Sequence, residues 1–135
     1  MGWAVEAQEP LAEYVRSPDD ARRLLGGCFD SAETEKIVVL HVGDAQRLLA
    51  VREYPGSAEA ADLPLRAIIE DALLLGSTGL VLAHNHPSGD ADPSEADLRT
   101  SRLLADTARN LGMRLLDHLI FAGEDVRSLR NLGLL

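Results

Sequence analysis

The chain has 135 residues, of which 46% are hydrophobic and 26% charged, so it is long enough for one hydrophobic core and short for two. Its formal net charge is −9, with 22 acidic residues against 13 basic ones. A protein that binds a nucleic-acid duplex usually carries a clustered basic face. The arginines here are scattered and Lys36 is the single lysine, so composition argues against nucleic acid as the main partner.

Hydrophobic runs and cysteine content indicate the cellular compartment and which cysteine-based sites are possible. No apolar run approaches the roughly 20 residues that span a bilayer, and the first residues lack the basic start and apolar stretch of a signal peptide. We therefore expect a cytoplasmic protein with no membrane partner. Cys28 is the only cysteine, which excludes an internal disulfide and a zinc site made of several thiolates.

The first part of the chain predicts helices. Residues 9–16 allow a short helix. Ser17 as N-cap and Pro18 at the first helical position then predict a second helix, which should stop near Gly26 and Gly27.

Apolar periodicity predicts the remaining elements. In chain order they are strands at residues 37–42 and 47–54, joined by a turn at 43–46, a helix within 62–75, a strand at 79–84, a helix at 94–111 and a strand at 113–122. This order predicts an α/β sandwich around a mixed sheet, and no linker divides it. We expect a single domain over residues 1–135, with 1–16 as an N-terminal extension and 17–135 as the core.

The stretch LVLAHNHPSGDADPSEAD, residues 80–97, carries the clearest chemistry. His84 and His86 end a predicted strand, where residues two apart point to the same face with Cα atoms about 6.5–7 Å apart. Asp97 falls in the first turn of the next helix and can point back toward them. Two histidines and one aspartate leave a fourth zinc position open for water, as in catalytic zinc sites. Other divalent metals remain open.

Each of these features also has a structural explanation. Ser94 and Asp97 have the spacing of a capping box at a helix start, and a pair of histidines two apart arises by chance. Their conjunction favours the metal site. Although HNH is the name of a nuclease class, the positions so named in that class are spread over a ββα-metal unit, and the basic surface of a nuclease is missing.

A water activated by the metal needs a carboxylate to accept its proton. Alternation along residues 47–54 places Leu49, Val51 and Glu53 on one face. Glu53 thus ends an apolar face, where burial would raise its pKa toward a useful range. The alternative is a solvated glutamate at a strand end. The other nearby acids are interpreted as loop, surface or solvated helix groups: Glu33, Glu35, Glu59, Glu70 and Asp71.

The motif as a whole is similar to a known family. The spacing of His84, His86 and Asp97, with Ser94 three residues before the aspartate, resembles the JAMM (MPN+) metalloprotease motif. The run HNHPSGDADPSEADLRT, the segment LGMRLLDHLIFAG and the closing SLRNLGLL resemble the RadC-like branch of that superfamily. This resemblance implies a cytidine-deaminase-like (JAB/MPN) α/β fold, with the metal at one end of the sheet.

The resemblance also implies roles for individual residues. Zinc would be held by His84, His86 and Asp97, and Ser94 would help stabilise the oxyanion of a tetrahedral intermediate. Glu53, in REYPGS, matches the place where this branch carries its glutamate and would be the acid/base for the water. The implied activity is hydrolysis of an amide bond in a peptide or protein. The alternatives are an amidase for a small molecule and a non-enzymatic accessory or DNA-repair-associated domain.

Three further residues have two explanations each. Asp117 and His118 match a DH pair that recurs in the RadC-like branch. They would either orient a metal ligand through a hydrogen bond or satisfy buried polar groups, and the structural role is favoured.

His41, inside an apolar strand, is interpreted as a hydrogen-bonded core or edge histidine. The exposed arms of a small sheet leave a homo-oligomer open.

Overall fold

The computed structural model describes residues 12–59 and 61–135. Its elements alternate between strands and helices, as the apolar periodicity predicts. They are α1 (Pro18–Leu24), β1 (Ile37–Val42), a short 3-10 turn (Asp44–Gln46), β2 (Leu48–Tyr54), α2 (Leu65–Leu75), β3 (Gly79–Asn85), α3 (Glu95–Asn110), β4 (Arg114–Ala122) and β5 (Asp125–Ser128).

The five strands form one mixed sheet in the order β2-β1-β3-β4-β5. β3 and β4 are parallel because α3 connects them as a crossover, and the other neighbours pair antiparallel. The antiparallel pairing of β1 with β3 sets Ile37 opposite His84. The start of β1 therefore lies beside the end of β3, although a helix and a strand separate them in the chain.

Helices cover both faces of the sheet, which confirms the predicted α/β sandwich and its single domain. On one face, α2 and α3 bury Ile68, Ala72, Leu104 and Ala108 against the sheet. On the other face, α1 buries Ala21 and Leu25 against side chains from β1, β3 and β4: Val38, Leu40, Val81, Ala83 and Leu119.

The helix boundaries follow local capping chemistry. Ser17 accepts a hydrogen bond from the Asp20 N–H at 3.1 Å, and Pro18 opens α1. Gly76 ends α2 with a φ of 73°, a left-handed conformation that glycine adopts without steric cost. Within the part of the chain that the structure describes, no helix is both long and apolar enough to cross a lipid bilayer.

The predicted helix over residues 9–16 was wrong for residues 12–16, the part of it that the structure describes. Residues 9–11 lie outside the described residues, and 12–16 form no helix, with Tyr14 bridging to Arg47. The Val15 N–H donates to the Gln46 carbonyl at 2.8 Å, and the Val15 side chain is buried. Pairing with the start of β2 outweighs a weak local helix propensity here. A domain boundary at residue 16 stays a prediction.

Candidate metal centre

The residues of the His-x-His motif and Asp97 meet at one end of the sheet. The rings of His84 and His86 point the same way from the end of β3, with centroids 4.9 Å apart. Asp97 reaches both rings, with its Oδ1 3.1 Å from the Nε2 of His84 and its Oδ2 3.0 Å from the Nε2 of His86. One ligand atom from each residue lies within 4.8 Å of the others, so this group could hold a metal ion.

The first turn of α3 positions Asp97. Its N–H donates to the Ser94 Oγ at 3.1 Å, and its Oδ2 accepts from the Ser94 N–H at 2.8 Å. This is the capping box that the spacing predicts, and it orients the same carboxylate toward the histidines. Burial opposes ionisation of Asp97, but the contact with His84 and the Ser94 N–H outweigh burial and hold its pKa well below the usual value. The carboxylate is therefore charged at neutral pH.

A buried hydrogen-bond chain orients the His84 ring from behind. The His84 Nδ1 lies 2.8 Å from the Nε2 of His118, and the His118 Nδ1 lies 2.5 Å from the Ser101 Oγ. Burial lowers the pKa of His118 to about 3, so its ring is neutral and carries one N–H. If His84 donates to His118 and His118 donates to Ser101, the Nε2 of His84 keeps its lone pair for a metal.

His86 is oriented in a similar way by the loop that follows it. Its Nδ1 lies 2.7 Å from the Asp90 carbonyl oxygen, which can only accept a hydrogen bond. The proton of a neutral His86 ring is therefore on Nδ1, and the Nε2 lone pair faces the Asp97 carboxylate. Two acceptors that face each other at 3.0 Å require a proton or a cation between them.

These contacts test whether a metal fits. Among the described residues, the Nε2 of His84 is a buried side-chain nitrogen with no hydrogen-bond partner, although the Asp97 Oδ1 lies 3.1 Å away. Two ligands of a tetrahedral zinc ion lie about 3.3 Å apart, close to the separations of 3.0 and 3.1 Å found here. Two imidazole nitrogens and a carboxylate oxygen suit zinc and other borderline divalent cations. The donor set fits.

Glu53 lies away from this group, and its predicted burial was wrong. Directly paired residues on neighbouring strands point to the same face of a sheet. Glu53 pairs with Val38, which pairs with Ala83, so its side chain points to the α1 face, opposite to His84. Its side chain is 61% exposed, and its Oε2 lies 3.2 Å from the Lys36 Nζ. Burial fails because α1 packs against β1, β3 and β4 and leaves this part of β2 exposed.

Glu35, interpreted from sequence as a loop or surface acid, is the carboxylate beside the candidate metal ligands. Its Oε1 lies 4.0 Å from the Nε2 of His84 and accepts the Ala58 N–H at 3.2 Å. The Ala58 carbonyl in turn accepts a hydrogen bond from Thr100 of α3. The sequence signal was its place just before β1, but that signal is useful only once β1 is known to pair antiparallel with β3.

Asp117 and His118 have different roles. His118 touches a ligand, as described above. Asp117 accepts from the Ser128 hydroxyl at 2.5 Å and from the Arg130 N–H at 3.1 Å, so it ties β4 to the C-terminal segment. Its contact with the site is indirect, through the His118 N–H.

His41 is a hydrogen-bonded core residue, as predicted. It is fully buried between the hydroxyl groups of Ser77, 3.1 Å from its Nδ1, and Tyr54, 2.7 Å from its Nε2. The Tyr54 hydroxyl donates in turn to Asp71 of α2, so the network joins β1, β2 and α2.

A cavity of about 780 Å³ opens beside His86, on the α1 side of the sheet. His86 and Pro87 line the end nearest the site. The rings of Phe29 and Phe121 lie against each other with centroids 4.7 Å apart and provide an apolar wall. Charged side chains from α1 and two loops also line it: Asp19, Arg22, Arg23, Asp30 and Glu124.

Comparison with known proteins agrees with this architecture. A profile of the RadC-like JAB domain matches residues 15–134. A UPF0758 protein of Marinobacter nauticus is 33% identical over 130 residues, which cover 94% of this chain and 58% of that protein. A UPF0758 protein of Thioalkalivibrio sulfidiphilus is 35% identical over 124 residues, with 91% and 55% covered. One of Vibrio cholerae is 34% identical over 121 residues, with 84% and 77% covered.

The profile match extends over almost all of the chain, including both histidines, Asp97 and Glu35. The chain spans little more than half the length of the first two relatives, and their names assign no activity. Fold, motif and similarity together show that the chain belongs to the RadC-like JAB domain family.

Proposed function

We propose that this protein is a metal-dependent hydrolase of amide bonds, of the peptidase or isopeptidase type, with zinc as its cation. The observation that carries the proposal is the unpartnered, buried Nε2 of His84. It lies 3.1 Å from the Asp97 carboxylate and 4.0 Å from Glu35, a second carboxylate that is not needed as a ligand. Three ligands with a free carboxylate alongside are typical of a catalytic rather than a structural zinc site.

The metal would be held by His84, His86 and Asp97. A cation bound there would polarise a substrate carbonyl and lower the pKa of a water molecule. Glu35, which is partly exposed, is placed to accept the proton of that water on its carboxylate and to pass it to the departing amine. We favour Glu35 over Glu53 in this role because the Glu53 side chain leaves the sheet on the opposite face.

Ser94 is the candidate donor to the carbonyl oxygen of the substrate. Its Oγ already accepts the Asp97 N–H, and its own hydroxyl proton is free to donate. Ser94 is exposed to solvent at the start of α3, next to the ligand group. A donor aimed at a developing oxyanion contributes about 10²–10³ in rate in other acyl-transfer sites.

The substrate in this proposal is a peptide or a protein segment. The cavity beside His86 has room for several side chains, and the Phe29–Phe121 wall favours an apolar residue next to the scissile bond. The net charge of −9 and the scattered arginines speak against nucleic acid as the main partner. A cytoplasmic location and a homo-oligomer remain predictions.

Metal content and peptide cleavage test the proposal. Purified protein is analysed by inductively coupled plasma mass spectrometry, then incubated with a peptide library with and without a chelator. We expect one zinc per chain and cleavage that stops with the chelator and returns with added zinc. Bound metal without cleavage of peptides or small amides would favour an accessory domain, and absence of any bound divalent metal would refute the proposal.

A further inference from the structure

Asn85 takes over the pairing between β1 and β3 where their backbone ladder stops. The ladder ends at the Ile37–His84 pair. Beyond it, the Asn85 Oδ1 accepts the Lys36 N–H at 2.8 Å, and its Nδ2 donates to the Thr34 carbonyl at 3.1 Å. Asn85 is 5% exposed, so water does not readily replace either bond.

The partners specify the chemistry of this side chain. The Lys36 N–H requires an acceptor and the Thr34 carbonyl requires a donor, and both must lie at the end of one short side chain. A planar amide provides one of each. An aspartate lacks the donor and an aliphatic side chain lacks both, so the amide of Asn85 matches this pair of contacts.

Glu35 lies between the two residues that Asn85 holds. Its backbone is therefore fixed on both sides, and its carboxylate is further oriented by the Ala58 N–H at 3.2 Å. These contacts leave Oε1 4.0 Å from the Nε2 of His84. Since Asn85 stands between His84 and His86 in the sequence, the same strand end carries both histidine ligands and the group that anchors the glutamate.

We propose that Asn85 is a positioning residue, whose amide sets the placement of the Glu35 carboxylate relative to the metal ligands. The inference rests on the proposed function, in which Glu35 handles the proton. Its physical basis is that proton transfer requires the base within hydrogen-bond reach, and a misplacement of about 1 Å can cost on the order of 100-fold in rate.

The first test needs neither metal nor activity. Amide hydrogen exchange of the metal-free protein is measured by NMR for wild type, Asn85→Ala and the control Asn131→Ala, an exposed asparagine whose side chain makes no hydrogen bond to a described residue. In Asn85→Ala we expect the Lys36 amide to exchange about tenfold faster or more, with the Val39 amide in β1 unchanged. An unchanged Lys36 amide would overturn the proposal.

The second test asks whether Asn85 acts through Glu35. We expect Asn85→Ala to lower kcat about 100-fold with KM and zinc content little changed. In a Glu35→Gln background the same substitution should cause little further loss. If the two losses multiply instead, Asn85 does not act through Glu35 and the proposal is wrong.

Two other outcomes are also decisive. If wild type cleaves no amide, the proposed function fails, and crystal structures of wild type and Asn85→Ala then decide this inference: an unmoved Glu35 carboxylate contradicts it. If Asn85→Ala also loses protection at Val39, the substitution disturbs β1 as a whole, and Asn85→Asp is compared with wild type instead. That variant keeps the acceptor for Lys36, and we expect it to protect the Lys36 amide while displacing Glu35.

Discussion

The Oε1 atom of Glu35 lies 4.0 Å from the Nε2 atom of His84, where the start of β1 lies beside the end of β3. Glu35 is therefore a carboxylate next to the candidate metal ligands that is not itself one of them. Two backbone contacts of the same segment, to Asn85, hold it there. The position of this carboxylate relative to the ligands is what would distinguish a reactive centre from a structural one.

Replacing Glu35 by glutamine should abolish most of the activity. Glutamine keeps the size of the side chain but cannot accept a proton, so we expect kcat to fall about 10²–10⁴-fold while zinc content is unchanged. The control is Glu53→Gln, which alters an exposed residue paired with Lys36 and should stay near wild type. Steady-state cleavage of the best library peptide measures both. The reverse order of effects would restore Glu53 as the acid/base.

Replacing Asp97 by asparagine should weaken metal binding strongly. An asparagine can still cap α3, but it lacks the charge that ionised Asp97 brings to the site, so we expect zinc affinity to fall by more than about 100-fold. Competition with a chromophoric chelator measures the affinity. Asp92→Asn, in the exposed loop before α3, is the matched control and should bind zinc like wild type. Equal affinities in the two variants would exclude Asp97 as a ligand.

His118 should raise the affinity for the metal through its hydrogen bond to His84, without binding the metal itself. Replacing it by phenylalanine removes the hydrogen bond to the His84 Nδ1, and groups that orient a histidine ligand typically contribute 10–100-fold to metal affinity. Ser101→Ala leaves the His118 ring in place and removes only the end of the chain, so we expect a smaller loss. The same chelator competition tests both. Wild-type zinc affinity in His118→Phe would show that the contact has no influence on the ligand.

Two substitutions at Ser94 should distinguish its role as a helix cap from a role in catalysis. Ser94→Thr retains a capping oxygen and a hydroxyl, whereas Ser94→Gly loses the hydroxyl and costs only a few tenths of a kcal/mol in helix capping. We therefore expect Ser94→Gly to lose about 10²–10³ in kcat with a small loss of stability, and Ser94→Thr to retain most activity. Peptide cleavage and urea denaturation measure the two effects. If activity follows stability alone in both variants, Ser94 acts only as a cap.

His41 should make the stability of the protein depend on pH. Burial lowers its pKa to about 4, against 6.5 in the unfolded chain. Between these values the unfolded state binds the proton and the native state does not, so the free energy of unfolding falls as the pH drops from 6.5 toward 4. The full contribution is about 3 kcal/mol, and above pH 6.5 it no longer changes.

Urea denaturation of the metal-free protein at several pH values tests this prediction. A His41→Gln variant lacks the titrating ring, so its stability should fall less steeply over this window, whatever its absolute stability. Comparing the two slopes cancels the contributions of the other groups. Parallel slopes in wild type and His41→Gln would contradict the prediction.

The group of side chains that could hold a metal ion was predicted from sequence because it depends on local structure. His84 and His86 lie two residues apart at the end of β3, which brings their rings together, and a capping box at the start of α3 orients Asp97. The helices and strands on either side followed from apolar periodicity and from end signals such as Ser17 and Gly76.

Which carboxylate lies next to the candidate metal ligands was decided only by tertiary structure. Alternation along β2 correctly placed Glu53 on a face of its strand, but it could not show that α1 packs elsewhere and leaves the Glu53 side chain exposed. The place of Glu35 just before β1 does not identify it by itself, because its approach to His84 depends on the antiparallel pairing of β1 with β3. The sequence by itself thus determined the fold class and the candidate ligands, whereas strand order and helix placement determined which acid lies beside them.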